Sequence, residues 1–178
     1  MATRSTITVL CDDGKYRTIY CHWDGAPAGF GQVLLDHYQT TDEARQALIA
    51  LGNLSSLHES TECPDGHSFE HPAAGHCVAY GRDRGESRME AVETDINPGL
   101  EEAFHYLWNG SEWLVCWRTL SFGAANRHKA GSYHRLAFVL AGNGSPIELP
   151  APAETLPAEG DADGLDHLVG PEPLQHSG

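Results

Sequence analysis

The start of the chain alternates apolar and polar residues in two short segments. Residues 6–10 and 16–23 both have a period of two, and the sequence Asp12-Asp13-Gly14-Lys15 separates them. An Asp-Gly pair between two such segments is a strong signal for a β-hairpin, because glycine tolerates the positive φ of a tight hairpin turn. We therefore predict that the chain begins with two antiparallel strands.

The second of these strands has one face for the core and one for solvent. Side chains of a strand point alternately to opposite faces, so Ile19, Cys21 and Trp23 share one face, and Tyr20 and His22 share the other. The first face is the more apolar of the two. We expect it to be buried, with Trp23 as its largest side chain.

Helical spacing replaces the alternation in the next segment. A first helix is predicted by a stripe at i, i+3, i+4, i+7 and i+8, which consists of Phe30, Val33, Leu34, His37 and Tyr38. A second helix is predicted by the capping box of Thr40 and Glu43. Gly52 is expected to end this helix, and its expected core face consists of Ala44, Ala47, Leu48 and Leu51.

The second half of the chain contains one clear hairpin signal. Asn109-Gly110 is flanked by aromatic residues, and a two-residue turn at this pair places Tyr106 opposite Trp113. A helix that begins at Asn97 and reaches Phe104 competes for part of this span. Both alternatives are open from the sequence alone.

The other segments have little periodicity. Residues 53–75 and 119–132 are predicted to be loops, residues 76–80 a short strand, and the elements at 88–104 and 133–140 are of open type. Hairpins combined with two amphipathic helices predict an α+β fold. We expect a small antiparallel sheet of hairpins covered by two helices.

The C-terminal segment differs in composition from the rest. Residues 145–178 contain seven acidic residues, no lysine or arginine, and six of the ten prolines. Such a segment buries too little apolar surface to offset the entropy lost on ordering it. We predict a single α+β domain at residues 1–144 and a disordered acidic, proline-rich tail at residues 145–178.

Charge and composition restrict the partners and the location. The chain carries a net charge of −14, which argues against general nucleic-acid binding through phosphate neutralisation. No apolar run has the length of a membrane span, and the first residues have no signal-peptide pattern, so we expect a cytoplasmic protein without membrane contact. Five scattered cysteines without a Cys-x-x-Cys pair predict buried free thiols.

The motif Cys21-His22-Trp23-Asp24-Gly25 carries the first candidate site. In an extended strand, His22 and Asp24 project to the same side, where the carboxylate would orient the imidazole as a general base. In the structural alternative, Trp23 anchors the core and Asp24 and Gly25 make the exit turn. His22 and Asp24 are therefore candidate catalytic residues without an assigned reaction.

The motif Gly81-Arg82-Asp83-Arg84-Gly85-Glu86 carries the second candidate site. In an extended turn, Arg82 and Arg84 lie on one side about 7 Å apart, which suits a phosphate, a carboxylate or an acidic partner strand. We take Arg82, Asp83, Arg84 and Glu86 as candidate ligand-binding residues. In the alternative, Asp83 and Glu86 satisfy both arginines in a surface ion-pair network.

The central loop is rich in side chains that can bind metals, namely His58, Cys63, His67, His71, His76 and Cys77. Their spacing matches no structural zinc pattern, and a second Cys-x-x-Cys arm is missing. We therefore predict no metal and no other cofactor, and we expect the loop histidines to face solvent.

These motifs, in this order, resemble a family of uncharacterised proteins encoded by tailed phages and prophages. The resemblance covers residues 2–117 and is carried mainly by residues 20–25, 34–38, 51–57 and 79–86. It does not extend to the tail. It implies a phage accessory role in the host cytoplasm and implies no particular activity.

Three kinds of function remain open. The first is a phage- or prophage-type accessory protein that binds a host protein or a small anionic ligand, in host takeover or against a host defence. The second is an enzyme acting on a phosphate-containing small molecule, with His22 as general base and Arg82 and Arg84 as an anion fork. The third is a virion structural protein. Only the enzyme requires His22 and both arginines to converge on one pocket.

Overall fold

The computed structural model describes residues 2–120, 128–130, 132–143, 145–147 and 149. Within these ranges the chain has an α+β fold. The strands are β1 (Ser5–Leu10), β2 (Tyr16–Cys21), β3 (Leu54–Ser56), β4 (Val78–Ala79), β5 (Val92–Thr94), β6 (Phe104–Trp108), β7 (Trp113–Leu120), β8 (His128–Ala130), β9 (Tyr133–Arg135) and β10 (Pro146–Ile147). A π-helical turn (Pro27–Gly31) leads into α1 (Gln32–His37), which is followed by α2 (Asp42–Ala50), α3 (Tyr80–Arg84) and α4 (Leu136–Leu140).

The strands join into one mostly antiparallel sheet with β1 near its centre. Its order is β10-β9-β7-β6-β1-β2-β3-β4, with β5 paired to β2 and β8 paired to β7. Two pairs are parallel, β1 with β6 and β2 with β3. Parallel neighbours need long connections, so no local turn signal predicts them.

The N-terminal hairpin is confirmed, but its second strand is shorter than predicted. Gly14 has a φ of 78° in the turn, and Ile7 lies opposite Ile19. The strand ends at Cys21 rather than at Trp23, and Trp23 is 46% exposed. The prediction of a buried Trp23 is therefore wrong, because the alternation on which it depends stops two residues earlier.

The second hairpin is confirmed with a different register. Tyr106 lies opposite Val115 rather than Trp113, because the turn spans four residues instead of two. Asn109 holds this turn, since its backbone N–H donates to the carbonyl of Glu112 at 3.2 Å and its side-chain oxygen accepts the N–H of Glu112 at 2.9 Å. A shift of two residues keeps every side chain on its predicted face. The competing helix does not form.

Both predicted helices are present, and α2 begins one residue later than the capping box suggests. Thr41, rather than Thr40, is the last extended residue, and its side chain accepts a hydrogen bond from a first-turn N–H at 3.2 Å. The buried face of α2 is also rotated, so that Ala47 is exposed and Arg45 is buried. The Arg45 guanidinium lies 4.0 Å from the centre of the Trp108 ring, which accounts for the burial of a charged side chain.

The main core lies between one face of the sheet and the helices. Helical residues meet side chains from the central strands, and both groups are almost fully removed from water. The helices and the residue that ends α1 contribute Phe30, Leu34, Tyr38, Leu48, Ile49 and Leu136, and the strands contribute Ile7, Val9, Ile19, Cys21, Tyr106, Trp113 and Val115. Burial of such side chains contributes about 1.5–3 kcal/mol each.

The opposite face of the sheet carries a buried polar network. Thr6 Oγ1 lies 2.7 Å from His105 Nδ1, and His105 Nε2 lies 3.2 Å from Asn97 Oδ1. An amide oxygen only accepts, so Nε2 carries the proton and Nδ1 accepts from the Thr6 hydroxyl. Burial lowers the pKa of His105 to about 4, which keeps the imidazole neutral at ordinary pH.

The elements that the sequence left open are now assigned. The segment 88–104 contains β5, and the segment 133–140 contains β9 and α4. The segment 53–75, predicted as a loop, begins with β3, and 119–132 holds the end of β7 and all of β8.

The predicted tail lies mostly outside the described residues. Within the segment 145–178, β10 pairs with β9, and apart from residues 145 and 149 the rest is not described. Among the helices that the structure describes, none is long and apolar enough to cross a membrane.

Candidate functional site

The first candidate site places His22 against aromatic side chains instead of Asp24. Asp24 has a φ of 57°, which breaks the alternation that would align its carboxylate with His22. His22 Nδ1 lies 2.9 Å from the Tyr20 hydroxyl, and the His22 ring meets the Trp23 ring edge-on at a centroid distance of 4.7 Å. The predicted orienting carboxylate is therefore replaced by a phenol.

Backbone packing at Gly25 explains this turn. The Gly25 N–H donates to the carbonyl of Thr3 at 2.8 Å, and a Cβ at Gly25 would lie only 2.7 Å from the Cβ of Ser5. The Tyr106 hydroxyl donates to the Gly25 carbonyl at 2.8 Å. Asp24 is exposed, so Asp24 and Gly25 make the exit turn of the structural alternative.

The second motif forms a short helix rather than an extended turn. Residues 80–84 are helical, and Gly85 ends the helix with a φ of 74°. Residues two apart on a helix do not face the same side. The extended geometry predicted for Arg82 and Arg84 is therefore wrong, and the two guanidinium groups have different neighbours.

Arg82 connects α3 to the central loop by hydrogen bonds. Its Nε and Nη2 donate to the two carboxylate oxygens of Asp83 at 2.6 and 2.9 Å. Nη1 donates to the carbonyl of Thr61 at 2.7 Å, and Nη2 donates to that of Cys77 at 2.6 Å. Hydrogen bonding to Asp83 raises the pKa of Arg82. Four of its five N–H groups are used within the protein, which leaves little capacity for an external anion.

Asp83 also holds a buried histidine. The His67 and Asp83 side chains are 0% and 1% exposed, and His67 Nε2 lies 3.2 Å from Asp83 Oδ2. His67 Nδ1 accepts the N–H of Ala73 at 3.0 Å, so Nε2 carries the proton and donates to Asp83. Burial alone would raise the pKa of Asp83, but hydrogen bonds from Arg82, the Ala79 N–H and His67 outweigh it and lower that pKa.

The loop histidines therefore differ in environment. The expectation that they face solvent is wrong for His67, which stabilises the loop against α3. His71 is exposed, whereas His58 and His76 are half-buried. Among the described residues, no three His, Cys, Asp or Glu side chains are arranged to hold a metal ion.

Arg84 and Glu86 lie at the surface. The Arg84 guanidinium carbon is 4.8 Å from the centre of the Phe69 ring, and Arg84 Nη1 is 3.1 Å from Glu86 Oε1. The Arg84 side chain is 51% exposed. This is the surface ion pair of the structural alternative, and such pairs contribute at most about 1 kcal/mol.

A row of aromatic side chains connects the two motifs. We define the aromatic row as Trp23, His22, Tyr20, Tyr80 and Phe69, with Arg84 at its end. Beyond the Trp23–His22 contact, the His22 and Tyr20 rings are 6.1 Å apart, and the Tyr80 and Phe69 rings are 5.6 Å apart. Two segments that are distant in sequence thus supply the two parts of this row.

Asn53 sets the position of Tyr20 relative to Tyr80. The Asn53 side-chain oxygen accepts the Tyr20 N–H at 2.9 Å, and the Asn53 carbonyl accepts the Tyr80 N–H at 3.0 Å. Burial raises the pKa of the Tyr20 phenol; Arg4 opposes this rise, and Glu102 and Tyr80 add to it. The two tyrosines therefore interact across a single anchoring residue.

The aromatic row is partly open to solvent. Trp23 and Arg84 at its ends are exposed, and the four rings between them are half-buried. Aromatic residues and arginine at a partly exposed surface are the residue types that dominate binding energy in protein interfaces.

A cleft of about 310 Å³ adjoins α3. It is lined by Ala50, Leu51, Gly81, Arg82, Glu86, Met89 and Glu90. His22, Asp24 and Arg84 do not line it. The convergence of His22 with both arginines that an enzyme requires is therefore absent from this cleft.

Sequence reasoning located both motifs but missed part of the surface between them. Tyr20 and Tyr80 directly precede the two motifs, and an aromatic residue beside a dense polar motif is the one signal that pointed to them. Phe69 and His67 lie in a loop without periodicity, so no pattern could identify them.

Comparison of the chain with protein-family models, with curated proteins and with solved structures gave no match. The resemblance to phage and prophage proteins therefore stays a prediction.

Proposed function

We propose that this chain is a phage- or prophage-type accessory protein that binds a host protein, and that the aromatic row is the binding surface. The observation that carries this proposal is the row itself, in which one tryptophan, two tyrosines and an arginine are partly open to solvent. Interface hot spots are enriched in these three residue types.

The row is also preorganised. The Tyr20 hydroxyl holds the His22 ring, the Trp23 ring packs on it, and Asn53 fixes the backbone of Tyr20 and Tyr80. Side chains that are already ordered lose little entropy on binding. This supports a role in recognition rather than in core packing alone.

Charge favours a partner with a basic surface. The chain carries a net charge of −14, and complementary charge accelerates association and suppresses wrong partners. The same charge repels nucleic-acid phosphates. A basic host protein is therefore the favoured partner class.

An enzyme acting on a phosphate-containing small molecule is the weaker proposal, and a small anionic ligand has the same weakness. Arg82 is occupied by protein acceptors, and Arg84 lies on Phe69 and pairs with Glu86. His22 is bonded to a phenol rather than to Asp24. The two arginines therefore do not form the predicted anion fork, and His22 does not have the predicted carboxylate partner of a general base.

The test compares two aromatic residues of equal exposure. Trp23 is 46% exposed within the row, and Phe138 is 47% exposed on α4, outside the row. Host proteins are captured from a lysate of the bacterial host with the wild-type chain, and the affinity of each purified candidate is measured by calorimetry. We expect Trp23→Ala to weaken binding about 30-fold, as for a hot spot, and Phe138→Ala to leave it unchanged.

Two outcomes contradict the proposal. Equal affinity of wild type, Trp23→Ala and Phe138→Ala for the captured protein would exclude the row as the interface. If the wild-type chain captures no host protein that binds it in purified form, the binding function itself is refuted.

A further inference from the structure

We infer that the cleft beside α3 receives a basic side chain, lysine or arginine, of the same partner protein. This inference rests on the proposed function and adds a second, chemically distinct contact to it. The second motif supplies Gly81, Arg82 and Glu86 of the lining, but the sequence did not predict the rest of it, which comes from the end of α2 and from residues 89 and 90.

Part of the lining of the cleft is apolar. Ala50, Leu51 and Met89 supply it, and Gly81 leaves space above Met89, since a Cβ at Gly81 would lie 3.6 Å from the Met89 Cβ. The methylene stem of a lysine or an arginine covers such a surface while its charged end stays at the rim.

The lining of the cleft also contains three charged residues, Arg82, Glu86 and Glu90. Arg82 lines the cleft, but its charge is compensated by the bidentate pair with Asp83. Glu86 is paired with Arg84. Glu90 is exposed, and its carboxylate has no ion pair with any residue that the structure describes. Among the residues that line the cleft, the uncompensated charge is therefore the negative charge of Glu90, which suits an ammonium or a guanidinium group.

The cleft and the aromatic row share their supports, so one partner can contact both. Tyr80 of the row and Gly81 of the cleft are neighbours on α3. Asn53, which positions Tyr80, also donates its N–H to the Met89 carbonyl at 2.6 Å. Asn53 therefore positions both Met89 of the cleft and Tyr80 of the aromatic row.

The test uses small probes that report on the cleft without the partner. N-acetyl-lysine methylamide and N-acetyl-arginine methylamide are titrated into the ¹⁵N-labelled full chain, with N-acetyl-norleucine methylamide as the uncharged control. We expect saturable shifts of the Gly81 and Met89 amide signals with the two basic probes and none with norleucine. Glu90→Gln should weaken binding of the basic probes about two- to fivefold, as expected for an exposed ion pair.

A matched pair of glycine substitutions tests the shape of the cleft. Gly81 has no positive φ and meets only ordinary contacts, so Gly81→Ala keeps the fold and fills part of the cleft. Gly29→Ala is the control, because no atom lies within 4 Å of a Cβ at that position. We expect Gly81→Ala to weaken binding of the basic probes and Gly29→Ala to leave it unchanged.

The inference is overturned if the basic probes give no saturable shifts at the cleft, or if Gly81→Ala and Gly29→Ala bind them equally well. These outcomes leave the proposed function intact, provided that Trp23→Ala still loses the partner. Conversely, basic probes that bind at the cleft while Trp23→Ala keeps full partner affinity would refute the row as the interface and support the cleft alone.

Discussion

Arg82 and Arg84 look equivalent in the sequence, but the structure predicts that replacing each by lysine has very different effects. Lysine keeps the positive charge and loses the planar fork. At Arg82 this removes the two parallel bonds to Asp83 and cannot restore the bonds to the carbonyls of Thr61 and Cys77 together.

The size of the effect follows from burial. The Arg82 side chain is 23% exposed and Asp83 is 1% exposed, so solvent cannot replace the lost partners. A hydrogen bond to a charged group contributes about 1.5–3 kcal/mol, and the lysine ammonium recovers part of this. We expect Arg82→Lys to lower the free energy of unfolding by about 2–4 kcal/mol, which corresponds to a decrease in Tm of about 4–16 °C for a chain of this size.

Arg84→Lys is the matched control on the same helix. The Arg84 side chain is 51% exposed, lies over the Phe69 ring and pairs with Glu86 at the surface, so we expect a change below about 1 kcal/mol. Thermal melting followed by circular dichroism measures both variants. Melting temperatures within about 2 °C of the wild type for both would show that Arg82 does not fasten the loop to α3.

Two further predictions concern the core and the buried histidine. Trp23→Ala is expected to lower the free energy of unfolding by less than about 1 kcal/mol because Trp23 is exposed, whereas Trp113→Ala, at 1% exposure, should lower it by about 3–5 kcal/mol. Urea unfolding measures both variants. A large decrease in stability for Trp23→Ala would contradict the exposure of Trp23. Burial lowers the pKa of His105 to about 4 from about 6.5 in the unfolded chain, so folding favours the neutral imidazole. The difference in free energy of unfolding between the wild type and His105→Gln should therefore be constant above about pH 6.5. It should fall by about 3 kcal/mol as the pH decreases to about 4. Identical pH dependence of unfolding in both proteins would contradict this.

Local signals determined much of the architecture from the sequence alone. The Asp-Gly turn before β2, the stripe from Phe30 to Tyr38 that became α1 with its π-helical start, and the hairpin at Asn109 all depend on residues within one or two turns of each other. Their side chains and backbone angles act at short range. The same is true of the α+β class, which follows from the sum of such elements.

Tertiary contacts decided what no local pattern contains. The turn at Asp24 exposes Trp23 because the Gly25 N–H donates to the Thr3 carbonyl, a contact between residues 22 positions apart that flank the paired strands β1 and β2. The helix at residues 80–84 is held by a loop that lies earlier in the chain, since Arg82 donates to the Thr61 carbonyl and Asp83 accepts from His67.

The candidate surface shows the same division. Each motif was visible in the sequence, but its role depended on neighbours supplied by other strands. Tyr20 and Tyr80 are brought near each other because β3 lies between β2 and β4, and Asn53, directly before β3, bonds to the backbone of both tyrosines. The sequence alone determined which side chains are available, whereas the pairing of distant strands decided which of them form one surface, since that pairing depends on long-range packing rather than on local spacing.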